Sequence, residues 1–237
     1  GSFRKAWQTA LLGVRSRFDP VWDPYYQGLK SLLDFDESLG VRGTFFFMAA
    51  DPGRFDSGYD LKAPEVVQLL DEITRRGHEI GWHAGYCAAE NEEVFWREKR
   101  TLEARLKSSV CGARLHYLRW RAGVTWRRLA RANVGYDSTL GYNETVGFRC
   151  GTAHPFPVWD RAAGARVRLE ERPLIIQDGA FFHFMRLQPV EAAERVKILL
   201  RRVREVNGDL TILIHNAQYL DMETVIDVFA LALQGAN

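Results

Sequence analysis

Cysteine is scarce in this sequence: only three occur among 237 residues, at Cys87, Cys111 and Cys150. Three thiols cannot all pair, and a chain of this length can bury a core without disulfides. The sequence therefore indicates a reducing compartment rather than a secreted, disulfide-bonded fold. We expect a cytoplasmic protein. A periplasmic location is the alternative, if a signal segment was removed together with an N-terminal piece.

An excess of charge of one sign is also missing. The 32 basic and 30 acidic residues give a formal net charge of +2, which offers no basis for a nucleic-acid partner. No apolar run approaches the ~18 residues of a membrane-spanning helix, and the N-terminus has no apolar segment of the signal-peptide kind. We therefore expect no membrane span.

The glycine-rich fingerprints of dinucleotide and phosphate sites, GxGxxG and GxxxxGK(S/T), are both absent. Linkers, internal repeats and low-complexity segments are absent as well. The sequence thus predicts a single domain that spans residues 1–237.

Short apolar runs alternate with amphipathic segments along most of the chain. Strands are predicted at 41–48, 78–83, 113–118, 134–137, 173–177 and 210–215. Helices are predicted at 4–16, from Asp23-Pro24 to Gly40, and at 64–76, 91–108, 125–132, 191–206 and 222–233, with Thr125 as the expected N-cap of its helix. This alternation predicts an α/β fold with a parallel sheet, either open or closed into a barrel. Residues 138–172 are predicted to be irregular, and they are too many for a plain connection.

Polar residues end several of the predicted strands, where α/β folds place their active sites. His83 ends one strand in GHEIGWHAGY, His116 lies on the next in RLHYLRW, and His215 ends the last in LTILIHN. Asp137 and Asp178 end two others. One histidine at a strand end is more often structural than functional, but three at separate strand ends indicate a site.

Two histidines and carboxylates at one rim are typical of a divalent-metal site, with zinc as the expected ion. Neutral imidazole binds zinc well, and the pKa of a zinc-bound water falls toward ~7. A third histidine would then serve as general acid or base. From the residues alone we predict metal-assisted hydrolysis. Cys150, in FRCGT, is an alternative nucleophile, but no histidine stands beside it in the sequence, which favours a buried thiol.

Several of these strings resemble the polysaccharide deacetylase superfamily, the metal-dependent N-deacetylases related to chitooligosaccharide deacetylase. SLGVRGTFFF is similar to that family's second strand, RRGHEIGWHAGY to its first histidine motif and LTILIHN to its catalytic-histidine motif. RLHYLRW, GYDSTLGY, GFRCGT and RPLIIQDG resemble a subgroup associated with surface-polysaccharide gene clusters. Together these strings cover roughly residues 23–220.

The resemblance implies a distorted barrel of seven β/α units, here without its first strand. In the family that strand carries an aspartate pair, one a metal ligand and the other the catalytic base, and this N-terminal aspartate motif is absent from the sequence. Either an N-terminal piece is missing, or the chain is an inactive relative. The first reading is favoured, because losing a barrel strand exposes two neighbouring sheet edges.

The resemblance also implies a role for each matching residue. His83 and His116 are the expected metal ligands, with an absent aspartate as the third, and Cys87, four residues after His83, is the second choice. His215 would be the general acid, Arg114 would orient the base, and the backbone N–H of Tyr117 would stabilise an oxyanion. Asp178 and Arg119 would steady His215 or bind sugar hydroxyls. Trp82, Tyr86 and Trp120 would stack on a pyranose, although packing is an equal alternative for each tryptophan.

The function that follows is removal of acetyl groups from an N-acetylated sugar or glycan in surface-polysaccharide biosynthesis. Two alternatives remain: another metal-dependent amidase on the same barrel, and a non-catalytic carbohydrate-binding relative. The sequence leaves the sugar, its carrier and the oligomeric state open.

Overall fold

The computed structural model describes residues 23–216 and 222–233. The helix predicted at 4–16 lies outside these residues. Within them, all six predicted strands and the six remaining helices are confirmed as elements, several with shorter bounds.

Four of the predicted strands form one parallel array. They are β1 (Thr44–Met48), β2 (Glu79–Ala84), β3 (Gly112–Leu115) and β4 (Tyr136–Asp137), paired side by side in chain order. Helix α1 (Pro24–Ser38) precedes β1, and α2 (Pro64–Arg75), α3 (Glu92–Leu106) and α4 (Thr125–Arg131) connect the strands. Because every strand of the array runs in the same direction, the residues that follow them gather at one edge.

Local sequence explains where these elements begin. The Asp23 side chain accepts the N–H groups of Tyr25 and Tyr26, and Pro24 occupies the first turn of α1, where a missing N–H is tolerated. In β1 (TFFFM), Phe45 and Phe47 alternate into the core, as expected for a strand whose successive side chains point to opposite faces.

The prediction that residues 138–172 are irregular is wrong in their second half. β5 (Phe156–Asp160) and β6 (Ala165–Glu171) form an antiparallel hairpin there, and β6 pairs in parallel with β4. The hairpin extends the array to six strands in the order β1-β2-β3-β4-β6-β5. The sequence signal of the hairpin was the alternation of exposed and inward-facing residues along β6, in which Val167, Leu169 and Glu171 face inward.

A separate two-stranded parallel sheet carries the C-terminal part of the chain. It consists of β7 (Ile176–Gln177) and β8 (Ile212–Leu213), followed in the described chain by helix α6 (Met222–Leu233), with helix α5 (Pro189–Glu205) between the strands. These elements surround a second hydrophobic core. Helix α1 joins the two cores, because Leu32 and Leu33 pack into the first and Phe35 into the second.

The barrel is not closed by the residues that the structure describes. No strand among them pairs with the outer edge of β1 or with the second edge of β8. A cavity of about 690 Å³ lies between these two strands, lined by Thr44 and Phe46 on one side and by Ile212 and Ile214 on the other. The predicted α/β class with parallel strands and helical crossovers is confirmed.

Two local predictions need correction. Strand β3 stops at Leu115, and His116–Leu118 forms a single turn of 3₁₀-helix in place of the predicted strand end. Thr125 is not the N-cap of α4 but its first residue, and its Oγ1 accepts the N–H of Arg121. As for membrane spans, the described helices include none long and apolar enough to cross a bilayer.

Candidate active site

His83 lies at the end of β2, half-buried, with a fixed ring orientation. Its Nδ1 lies 2.8 Å from the carbonyl oxygen of Arg114 on β3. A carbonyl only accepts, so Nδ1 carries the proton and Nε2 keeps its lone pair. Burial, and secondarily the charge of His116, lower the pKa of His83 to about 3. The ring is therefore neutral at neutral pH, which is the form that binds a metal.

His116 follows β3, and its ring centroid lies 4.9 Å from that of His83. Its Nδ1 donates to Oδ1 of Asp56 at 2.7 Å. A histidine ligand commonly gives its second ring N–H to a carboxylate or a carbonyl, which fixes the tautomer. His83 and His116 thus both have Nδ1 engaged and Nε2 available, in the pattern of paired metal ligands.

Asp56 is the residue that the sequence analysis missed. It stands in the loop between β1 and α2, and its two carboxylate oxygens accept the N–H of Tyr86 at 2.9 and 3.0 Å. Functional side chains were expected at strand ends, whereas Asp56 reaches the site from within a loop. The one available signal was the position of that loop, because loops that follow parallel strands border the active-site edge.

A second carboxylate holds the turn that follows β2. Glu98, buried on α3, accepts the N–H of Gly85 at 2.8 Å, next to the Tyr86 N–H that Asp56 accepts. Burial raises the pKa of Glu98 to about 7. Two carboxylates from different elements thus fix consecutive backbone N–H groups directly beyond His83.

His215 and Asp178 form the second polar centre, beside β7 and β8. Asp178 is 1% exposed; its Oδ1 lies 2.6 Å from Nδ1 of His215, and its Oδ2 accepts the backbone N–H of His215 at 2.8 Å. The charge of His215 contributes to the lowered pKa of His83, so the two centres interact electrostatically. The structure thus places His83 beside His116, with ring centroids 4.9 Å apart, and His215 directly after β8.

Arg114 is buried beneath this edge. Its Nε donates to the carbonyl of Ser138 and its Nη2 to the Ser138 hydroxyl, each at 2.9 Å. The guanidinium also lies 4.5 Å from the centre of the Phe46 ring and lines the cavity between β1 and β8. Burial lowers its pKa to about 10, so Arg114 remains a cation at neutral pH.

Tyr117 and Leu118 adopt left-handed backbone conformations, with φ of 56° and 50°. Such conformations are uncommon for residues other than glycine, because they strain the backbone. Strained residues of this kind are often found at functional sites. The Tyr117 side chain is 52% exposed, and its ring centroid lies 4.6 Å from that of His116. The turn thus presents an aromatic ring beside the histidine pair.

Tyr86 and Arg119 belong to one stack. The Tyr86 ring has the Phe55 ring stacked at 4.0 Å, and the Arg119 guanidinium 3.9 Å from its centre. Two groups this close must occupy opposite faces, so no face of Tyr86 is open to a pyranose. Arg119 also donates to the Tyr86 carbonyl and to Glu90, so here its guanidinium supports the turn.

The two tryptophans lie in different environments. Trp82 is fully buried and packs edge-to-face on Phe95, with ring centroids 4.7 Å apart, so packing accounts for it and a sugar contact is excluded. Trp120 is half-buried against Trp126, and its role in substrate binding stays a prediction.

The described residues supply two of the protein ligands that a catalytic zinc site needs. Catalytic zinc sites use three protein ligands and a water, and His83 and His116 supply two imidazoles. Within residues 23–216 and 222–233, no group of three or more His, Cys, Asp or Glu residues is placed to hold a metal.

Cys87 is exposed in a 3₁₀ turn after β2. Cys150 is partly buried, and burial raises the pKa of its thiol to about 12, which disfavours a nucleophilic thiolate.

Comparison with known proteins identifies the fold. No protein-family model and no curated protein matches the chain, but solved structures do. A crystal structure described as a "putative polysaccharide deacetylase" from Mycobacterium smegmatis aligns over 94% of this chain and 78% of its own, with 19% identity and a TM-score of 0.62. The crystal structure of Puue allantoinase aligns over 92% of this chain and 70% of its own, with 13% identity and a TM-score of 0.56. The chain thus has the α/β fold of polysaccharide deacetylases.

Proposed function

We propose that the protein is a metal-dependent N-deacetylase that removes acetyl groups from an N-acetylated sugar or glycan. One observation carries the proposal: two neighbouring imidazoles each have Nδ1 engaged and Nε2 available, and a third histidine, after another parallel strand, is hydrogen-bonded to a buried carboxylate. Paired neutral imidazoles are typical of a metal site, and the third histidine matches a general acid. The fold shared with polysaccharide deacetylases supports the sugar as substrate.

His83 and His116 would hold the metal through Nε2. A divalent metal bound there supplies a Lewis acid that polarises an amide carbonyl and lowers the pKa of a water molecule toward ~7. The hydrogen bonds to the Arg114 carbonyl and to Asp56 keep both rings in the ligating tautomer. A third ligand would come from a residue outside the described ones, from substrate or from water.

His215 would donate a proton to the amide nitrogen as it leaves. Asp178 fixes the ring through Nδ1, which directs Nε2 outward, and its negative charge stabilises the positively charged imidazole. The backbone N–H of Tyr117 would donate to the oxyanion, and the exposed Tyr117 ring would pack against the sugar. Arg114 would orient a carboxylate base across the cavity that it lines. The products are acetate and a free amino sugar.

Metal content per chain tests the proposal, measured by elemental mass spectrometry on wild type and on His83→Ala and His116→Ala. His154→Ala is the matched control, because His154 is exposed and its ring is hydrogen-bonded to the carbonyl of Val206, not to a residue of the candidate site. We expect about one zinc-like ion in wild type and control, and loss of it in both site variants. Metal that survives His116→Ala would transfer the ligand role to Cys87. If wild type binds no metal, the proposal is wrong and the non-catalytic carbohydrate-binding alternative is favoured.

A second candidate, an amidase acting on a non-sugar amide, is favoured by the fold shared with the Puue allantoinase. Product analysis separates the two. Acetate release from N-acetylated oligosaccharides supports the deacetylase, whereas hydrolysis of a cyclic ureide without acetate release supports the amidase.

A further inference from the structure

Two buried carboxyl groups face each other where β4 meets β6. Asp137 and Glu171 are register partners in this parallel pair, and both side chains are fully buried. Because register partners extend from the same face of a sheet, the two carboxyl groups lie side by side. The proposed mechanism uses neither of them.

A count of hydrogen-bond donors shows what this pair lacks. Oδ1 of Asp137 accepts the N–H and the hydroxyl of Thr139. Oε1 of Glu171 accepts the Leu140 N–H at 3.2 Å, and Oε2 accepts the Trp126 indole N–H at 2.9 Å. Oδ2 of Asp137 is buried and receives no donor from the described residues. A proton held between the two carboxyl groups satisfies this fourth oxygen.

The surrounding charges lead to the same requirement. Arg114 faces the pair from β3, but its guanidinium donates to Ser138, and no basic residue among the described ones forms an ion pair with either carboxyl. The Cys150 thiol is the other titratable group nearby. Two negative charges in this setting would leave one uncompensated, whereas one retained proton makes the cluster of Arg114 and the carboxyl pair neutral. Burial, and for Glu171 also the charge of Asp137, raise the pKa values of both groups.

We propose that Asp137 and Glu171 share one proton at neutral pH and act together as a positioning pair for the strand end that carries His116. The connection runs through Thr139, whose hydroxyl donates to Asp137 and accepts the backbone N–H of Leu115 at 3.0 Å. Leu115 lies between Arg114, whose carbonyl fixes His83, and His116. The consequence for catalysis rests on the proposed function; the shared proton does not.

The donor count separates two substitutions that look alike. In Asp137→Asn, the amide oxygen replaces Oδ1 and the NH₂ replaces Oδ2, so it donates to a Glu171 carboxylate that keeps both other donors. In Glu171→Gln, the NH₂ must face either the Leu140 N–H or the Trp126 N–H, donor against donor. We therefore expect Asp137→Asn to fold like wild type, and Glu171→Gln and Asp137→Ala to be destabilised.

Infrared difference spectroscopy at neutral pH detects the proton directly, through the carbonyl stretch of a protonated carboxyl group. We expect this band in wild type and in the control Glu170→Gln, which changes a partly exposed neighbour on the same strand. Asp137→Asn should remove the part of this band that the pair contributes, whereas the part from Glu98, whose pKa is also raised, should stay in both proteins. A band that is the same in wild type and Asp137→Asn would contradict the proposal. Absence of such a band in metal-free wild type, or an Asp137→Asn protein as unstable as Asp137→Ala, would overturn the proposal.

The pH dependence of stability gives a second readout. The unfolded chain ionises both carboxyls near their usual pKa values, whereas the native pair keeps one proton, so native stability falls as the pH rises above about 4.5. One retained proton changes the unfolding equilibrium constant about tenfold per pH unit. Asp137→Asn should remove this contribution and Glu170→Gln should not; equal slopes in wild type and Asp137→Asn would contradict a shared proton.

Positioning is tested by ¹⁵N NMR of the imidazoles in metal-free protein. We expect the Nδ1–H tautomer of His83 in wild type and Asp137→Asn, and a mixture of tautomers in Asp137→Ala and Thr139→Val. Unchanged His83 signals in both of these variants would refute the positioning role. Neither substrate nor metal enters these measurements, so a failed deacetylase assay would leave this result standing.

Discussion

The two sheets of the molecule hold their histidines in different ways. On the six-stranded sheet, His83 donates a hydrogen bond from its Nδ1–H to a backbone carbonyl, which is a neutral acceptor. Beside the two-stranded sheet, His215 is bonded twice to Asp178, a buried carboxylate. The acceptor alone does not separate the two centres, because His116 also donates to a carboxylate, Asp56. What distinguishes His215 is that one buried carboxylate holds both its ring and its backbone N–H. In our proposal His83 and His116 bind the metal and His215 transfers the proton.

Removing His215 should separate these two roles most clearly. We expect His215→Ala to lower kcat by about 10²–10⁴-fold, the usual contribution of general acid–base catalysis, while metal content stays at the wild-type level. The measurements are steady-state deacetylation rates and elemental analysis of the same preparation. Metal loss in His215→Ala as complete as in His83→Ala would mean that all three histidines form one metal centre.

The two hydrophobic cores should nevertheless unfold together. Leu102 is fully buried in the first core and Phe229 in the second, and helix α1 contributes residues to both. Leu102→Ala and Phe229→Ala should each destabilise the protein by about 2–5 kcal/mol, the usual cost of deleting a large buried side chain. Denaturant unfolding followed by circular dichroism and by tryptophan fluorescence should show one shared transition. Two transitions, each moved by only one of the substitutions, would contradict the single domain predicted from the sequence.

A smaller effect is expected from Asp56, which acts on the metal side alone. Asp56→Ala should weaken metal binding by about 10–100-fold, as is usual when the partner of a ligating histidine is removed. Asp60→Ala is the control, because Asp60 lies in the same loop and bonds only locally, to the N–H of Lys62. Metal titration of the apoprotein measures the change; equal affinities for the two variants would show that Asp56 does not support His116.

The sequence predicted the parallel array, and the positions of His83 and His215 near strand ends, because both depend on local patterns. β1 is a run of threonine and phenylalanine that ends in Met48, and His83 and His215 stand at the ends of predicted strands. Such signals are contained in a few consecutive residues. They do not depend on which distant segment packs against them.

The rest depends on tertiary contacts that no local pattern encodes. Asp56 is one of several loop carboxylates, and only the folded chain places it 2.7 Å from His116. The β5–β6 hairpin was missed because its inward face ends in Glu171, a charged residue where an apolar one is expected. The burial of Glu171 is tolerated because its neighbours supply hydrogen bonds and, in our proposal, a proton. Burial likewise removes Trp82 from the candidate sugar contacts.

The hairpin also shapes one outer edge of the six-stranded sheet. β5 forms the outer edge of the six-stranded sheet, and an exposed edge strand can template the addition of another chain. Pro157 lacks the N–H that such pairing needs, and the register with β6 shifts between Pro157 and Trp159. An edge interrupted in this way is a poor template for β-aggregation, so at β5 the sheet is less open to an added strand than at a regular edge.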